Sequence, residues 1–219
     1  MNMRLNNFSV RVSPGREKEG YVALRHGQEY RITLRNDNDT KCDAHVCVDG
    51  KEIGIFRVHP HASATIERPA DVSRRLTFFK SGTQEAEKAN LDAVKDDDLG
   101  LIQVKFIPEK RREVYRTSGA GGQSVNTSNS PLRSLWLSGY NGNRESDPRL
   151  ATKGMSAGGT GLGQQSSQQF TTASPIKEID EARVTTISLR LVCDDSEDEI
   201  SELKPMQTST PVPPPIYRT

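Results

Sequence analysis

Asp43, His45 and Cys47 bring a carboxylate, an imidazole and a thiol to every second position of one short run, which are the group types that nucleophilic catalysis needs. On a strand this spacing puts all three on one face, but i, i+2 side chains point in parallel and make a poor linear relay. The reading is therefore of a protein that is not an enzyme. His45, Cys47, His59 and His61, with Cys42, supply nitrogen and sulfur ligands of the kind zinc takes. Strand alternation turns Cys42 to the other side with Ala44, Val46 and Val48, and paired short-spaced ligands are missing. A buried Cys42 and ordinary surface histidines are expected, with no metal and no cofactor.

Gly158-Gly-Thr-Gly-Leu-Gly163 has the look of a phosphate-cradling loop, yet Gln164-Gln-Ser-Ser-Gln-Gln follows where such a loop needs Gly-Lys-Ser/Thr or a helix start. The expectation is a glycine loop that allows positive φ and tight packing. Leu162 and Phe170 would seat it on the body. Lys110-Arg-Arg-Glu-Val-Tyr-Arg116 interleaves four cations with a single aromatic, which reads as a solvated strand end. Trp136 and Tyr140, in Leu135-Trp-Leu-Ser-Gly-Tyr-Asn-Gly-Asn143, are the exposed-platform candidates for a protein or a carbohydrate. Pro214, Pro215 and Tyr217 form a PPxY pattern, a preformed polyproline segment of the kind WW domains take.

The elements that must carry these residues are mostly strands. From Phe8 to Ile107 the dominant period is two, and Gly, Pro, Asn and Asp punctuate the runs. Tyr30, Ile32 and Leu34 share one face. Asp49-Gly50 predicts a type I′ hairpin turn between Cys42–Val48 and the run from Ile53. Arg68-Pro69 breaks the meander, and Gln84 to Lys95 is the one helical excursion. Thr117 to Ser174 is dominated by Gly, Ser, Asn, Gln and Thr. The alternating run Arg183–Cys193 would be orphaned unless it docks as a late strand of the same sheets. The predicted fold is all-β, an antiparallel jelly-roll-like sandwich of about eight or nine strands. Residues 1–116 form its main strands, 117–174 a long inserted loop, 175–193 the returning strand and 194–219 a flexible acidic, proline-rich tail.

Bulk numbers agree with one packed core plus extras. Of 219 residues, 33% are hydrophobic and 5% aromatic, so part of the chain does not pack. Thirty Lys and Arg against 29 Asp and Glu give a net charge of +1, which supplies no drive toward nucleic acid or an anionic membrane. Three cysteines and a start without an apolar signal region point to a reducing compartment, and no run is long enough to span a membrane.

Tyr21 to Lys80, Gly158 to Phe170 and the strand Val184–Cys193 together resemble small β-rich structural proteins of large double-stranded DNA viruses of algae and protists. The resemblance implies a minor capsid or virion-associated component that touches neighbouring subunits through its loop and tail. It implies a virion location, with cytoplasm as the setting otherwise. The alternative is a carbohydrate- or protein-binding sandwich.

Overall fold

The computed structural model describes residues 3–111 and 155–194. Trp136, Tyr140, Pro214, Pro215 and Tyr217 lie outside the described residues, as do residues 112–116 of the basic run. The strands are β1 (Met3–Leu5), β2 (Phe8–Ser13), β3 (Arg16–Lys18), β4 (Tyr21–Leu24), β5 (Gln28–Glu29), β6 (Arg31–Asn36), β7 (Cys42–Val48), β8 (Lys51–Val58), β9 (Ala62–Ile66), β10 (Arg74–Lys80), β11 (Leu101–Pro108), β12 (Met155–Gln165) and β13 (Thr185–Asp194). Helix α1 (Gln84–Lys88) is followed by a 3₁₀ turn, Leu91–Ala93, and a second 3₁₀ turn spans Glu181–Arg183.

The all-β prediction holds. One sheet has the order β1-β2-β6-β9, and the other runs β5-β10-β12-β13-β11-β7-β8, with β4 and β3 attached through β13. Their facing sides are the alternate apolar positions found in the sequence. Phe8, Val10, Val12, Ile32, Leu34 and Ile66 meet Ala44, Val46, Val104, Phe106, Ile187 and Leu189 in one cluster. Phe8 and Phe106 stack across the gap with centroids 4.5 Å apart. Each Val, Leu, Ile or Phe side chain removed from water there contributes about 1.5–3 kcal/mol. Asp49 and Gly50 have φ of 51° and 72°, as a type I′ turn requires, and β7 pairs with β8 from Val48↔Lys51 onward.

Three boundaries differ from the sequence reading. Residues 155–165, expected within the 117–174 loop, form β12, which pairs with β10 along Leu76–Lys80 and with β13 at Met155–Ala157. Glycine's low strand preference conceals it. The returning segment, expected over 175–193 with its strand at Arg183–Cys193, is strand only from Thr185, because residues 166–184 form a strap that ends in the 3₁₀ turn Glu181–Arg183. The helical excursion, expected over 84–95, closes after five residues, capped at its start by the Thr83 side chain accepting from the Ala86 N–H. Pairing is also not wholly antiparallel: β4 runs parallel to β13 from Tyr21↔Arg190 to Leu24↔Cys193.

A fork in the larger sheet decides the rest. Leu101–Phe106 of β11 pair with β13 residues up to Arg190, and Met155–Ala157 of β12 pair with Val192–Asp194. β4 pairs with Arg190 as well as Val192, so it occupies the other flank, and β11 and β12 follow one another along the same flank. Gly100 lies at their junction with φ of 73°, where an added Cβ would come within 2.6 Å of the Leu191 oxygen and 2.7 Å of the Gly158 oxygen. Beyond Gly158, β12 leaves β13 and continues with β10 alone.

Candidate binding groove at the sheet fork

Where β12 swings away from β13 it leaves a wedge between itself and the β7–β8 hairpin, and Asp49 fills the base. This carboxylate is 6% exposed. It accepts from the Gly100 N–H at 2.5 Å and from the Thr160 N–H at 2.6 Å, and so bridges β11 to β12. Burial pushes its carboxyl up to about 6, against the two N–H donors, which favour the anion. Thr160 Oγ1 in turn hydrogen-bonds the buried Tyr30 hydroxyl at 2.7 Å. The buried Arg190 guanidinium donates to the Leu99 carbonyl and, at 2.6 Å, to the Asp97 carbonyl, in the segment that leads into Gly100. Burial lowers its pKa to about 10.

Above Asp49 lies a groove of about 560 Å³. Val48, Ile53, Pro69, Val72, Leu76, Leu91 and Leu162 give it apolar walls, and its rim carries Lys51, Arg74 and Lys88 beside Glu52, Asp71 and Glu85. A smaller hollow at Ser13, Glu29, Arg31, Glu67 and Arg75 is occupied by its own ion pairs, Arg75–Glu29 at 2.9 Å and Arg31–Glu67 at 3.2 Å.

One wall of the groove is a bare strand flank. The carbonyls of Leu76 and Phe78 accept from the Tyr30 and Gly27 N–H groups on the β5 side, so in β10 it is Thr77 and Phe79 that face β12. Their partners are Gly161 and Gly159. The main-chain groups of Thr160 and Leu162 therefore turn away from β10 into the groove. Asp49 takes the Thr160 N–H, and the Thr160 carbonyl and both Leu162 groups have no main-chain partner among the described residues.

The glycine run is explained by space. None of the glycines from Gly158 to Gly163 has a positive φ, contrary to expectation, whereas the expected tight packing is present. A Cβ on Gly159 would meet Leu99 at 2.9 Å and Leu91 at 3.0 Å, and one on Gly161 would meet Phe79 at 2.5 Å and Ala89 at 2.9 Å. The β10–β11 excursion lies on that face of β12 and leaves no room for side chains.

Of the predicted contact residues, Leu162 sits on β12 at the groove and is 36% exposed. Phe170 lies elsewhere, in the strap, with its ring 5.3 Å from Phe56 and under the Arg68 guanidinium at 4.5 Å. The strap covers the open side between the edge strands β8 and β9. Gln168 accepts from the Glu67 N–H at 2.9 Å and donates to the Thr65 carbonyl at 2.6 Å, so its side-chain amide substitutes for a neighbouring strand. Arg68 donates to the carbonyls of Gln168, Pro69, Ala70 and Val72 and fixes the loop beneath. Leu162 and Phe170 thus mark two different surfaces.

The other chemical candidates are also separated. Asp43 is held by Arg57, 2.5 Å from Nε, and Arg57 also donates to the Ser174 carbonyl. Burial raises the Cys47 thiol and lowers the His45 imidazole. Cys42 lies on the core side, its thiol pushed by burial to about 12. His61 pairs with Asp39 at 3.1 Å. Cys42, Cys47 and Cys193 are not joined in disulfides, and among the described residues no three His, Cys, Asp or Glu side chains converge as a metal site. Among the same residues no helix is long and apolar enough to cross a membrane. Sequence reasoning missed Asp49 as a buried bridge; its Asp-Gly turn signal located the residue but not the strands it joins.

No family model matches the chain. No solved structure matches it. Among curated proteins it is similar to peptide chain release factor 1 of Borrelia hermsii (strain HS1 / DAH), with 30% identity over 117 residues. That similarity covers 52% of this chain and 31% of the release factor, so the chain spans about a third of that relative's length.

Proposed function

We propose that the protein is a non-enzymatic interaction module that engages other protein subunits through the groove at the sheet fork. The observation that carries this reading is the bare flank of β12 at Thr160 and Leu162, set in apolar walls. Main-chain groups left open in such walls are under-satisfied until a partner covers them. The resemblance to virion β-proteins makes a minor capsid component the specific form of the proposal, with the virion as its location. Pro214, Pro215 and Tyr217 would add a WW-domain protein as a second partner. Native mass spectrometry of complexes recovered with the wild-type chain and with Leu162→Asp tests the reading. Loss of a partner in the variant supports it; an identical set of partners overturns it.

The similarity to a release factor favours a second reading, in which the chain acts in the release of peptide chains. Sedimentation with ribosomes tests it: co-migration that survives moderate salt supports this role, and a chain that stays in the supernatant at low salt removes it.

A further inference from the structure

We propose that the bare flank of β12 takes residues 203–219 of a second copy of this chain as an added strand. The proposal rests on the groove being an interaction surface and goes further by naming its occupant and its mode of binding.

The mode follows from the main chain. The Thr160 carbonyl and the Leu162 N–H and carbonyl point into the groove because Gly159 and Gly161 already serve β10. An acceptor, a donor and an acceptor in sequence along one strand match the alternating groups of an extended peptide. Shape favours a single chain. Residues of the β7–β8 turn (Val48, Asp49, Lys51) and of α1 with its following turn (Lys88, Leu91) line the same groove as the flank, which suits a single extended chain.

The occupant follows from charge and position. Asp49 lies at the base of the flank, and the rim carries equal numbers of cations and anions. An acidic strand gains no attraction from this balanced rim and lies against the Asp49 carboxyl, which disfavours the run Asp195–Glu202. Residues 203–219 contain no Asp or Glu and carry Lys204 and Arg218. Met206-Gln-Thr-Ser-Thr210 offers consecutive residues with N–H groups and two threonines before Pro211. Position then favours a second copy. At Asp194, β13 runs opposite to β12 and away from Leu162, a groove residue about 23 Å along β12 from Met155. The chain's own segment would have to double back, whereas one arriving from a neighbour meets no such constraint.

The test uses the full chain. Sedimentation equilibrium should show self-association that a synthetic peptide of residues 203–219 competes away. Leu162→Pro removes the free N–H without touching the β10 ladder, and should weaken association about tenfold, the loss of one well-placed hydrogen bond. Leu162→Ala keeps the N–H and should weaken it less than Leu162→Pro. Should the proline variant fail to fold, hydrogen exchange of the Leu162 amide replaces it: exchange should slow as protein concentration rises. A full chain that stays monomeric, association equal in Leu162→Pro and wild type, or a Leu162 amide whose protection ignores concentration overturns the proposal. If partners other than this chain are still lost in Leu162→Asp, the groove keeps its interaction role and only the occupant assigned here falls.

Discussion

Asp49→Asn isolates the bridge at the fork, because asparagine has the same shape and tolerates the left-handed backbone at φ 51°. The carboxylate accepts from two backbone N–H groups, and an amide can accept from only one while turning its NH₂ toward the other. One buried N–H left unpaired costs about 1–3 kcal/mol, which is the loss expected at pH 7.5. Acid should enlarge it. The folded carboxyl is raised from 3.8 to about 6, so between those values the native state binds more protons and its stability rises as pH falls. From pH 7.5 to pH 4 the gain is about 2 kcal/mol, and the asparagine variant does not share it. Urea unfolding of both proteins at pH 4, 5, 6 and 7.5 reads the difference directly. A gap that stays constant refutes the burial argument. A gap that shrinks toward acid shows that the two N–H donors outweigh burial and hold the carboxylate as an anion.

Gly158→Ala would place a Cβ 2.3 Å from Phe78 Cζ, and should cost about 1–3 kcal/mol by overpacking; thermal unfolding measures it. Gly27→Ala, with nothing within 4 Å and φ of 74°, should cost only about 1 kcal/mol in the same assay. Gln168→Ala removes the amide that covers β9, so the Glu67 N–H should exchange faster and protease should cut within 166–184, while the strand cores keep their protection. Burial raises the Glu17 carboxyl to about 7, so its protonated form is favoured on folding and that stability is lost as pH rises through 7. Glu17→Gln should therefore unfold at a higher temperature than wild type at pH 8, with the advantage gone at pH 4.5.

The fold was legible wherever side-chain alternation was strong. Tyr30, Ile32 and Leu34, or Cys42, Ala44, Val46 and Val48, are buried on every second position as their spacing requires. β12 was hidden because glycine stands at the positions where an alternating strand would show side chains. Its facing surface is supplied by Leu91, Leu99 and Ala89, more than fifty residues away in sequence, and no local pattern records that contact. The groove was legible only through Leu162. Its other walls come from the β7–β8 turn, the 69–72 loop and the 3₁₀ turn, brought together by the fork at Gly100 and Gly158. Asp49 could be read as a turn residue, but the orientation of the Gly100 and Thr160 N–H groups depends on strand pairing far from it.

The two strands that follow residue 154 are central to the larger sheet. β12 is flanked by β10 and β13, and β13 lies between β4 on one side and β11 on the other. Residues 3–111 without them would leave β4, β10 and β11 each short of a neighbour, and residues 155–194 alone have no opposing sheet. The described fold is thus a natural two-part assembly joined by one covalent stretch. A chain cut between residues 111 and 155 should yield halves that are each unfolded alone and that reconstitute the sandwich when mixed, a ready scaffold for split-protein reporters.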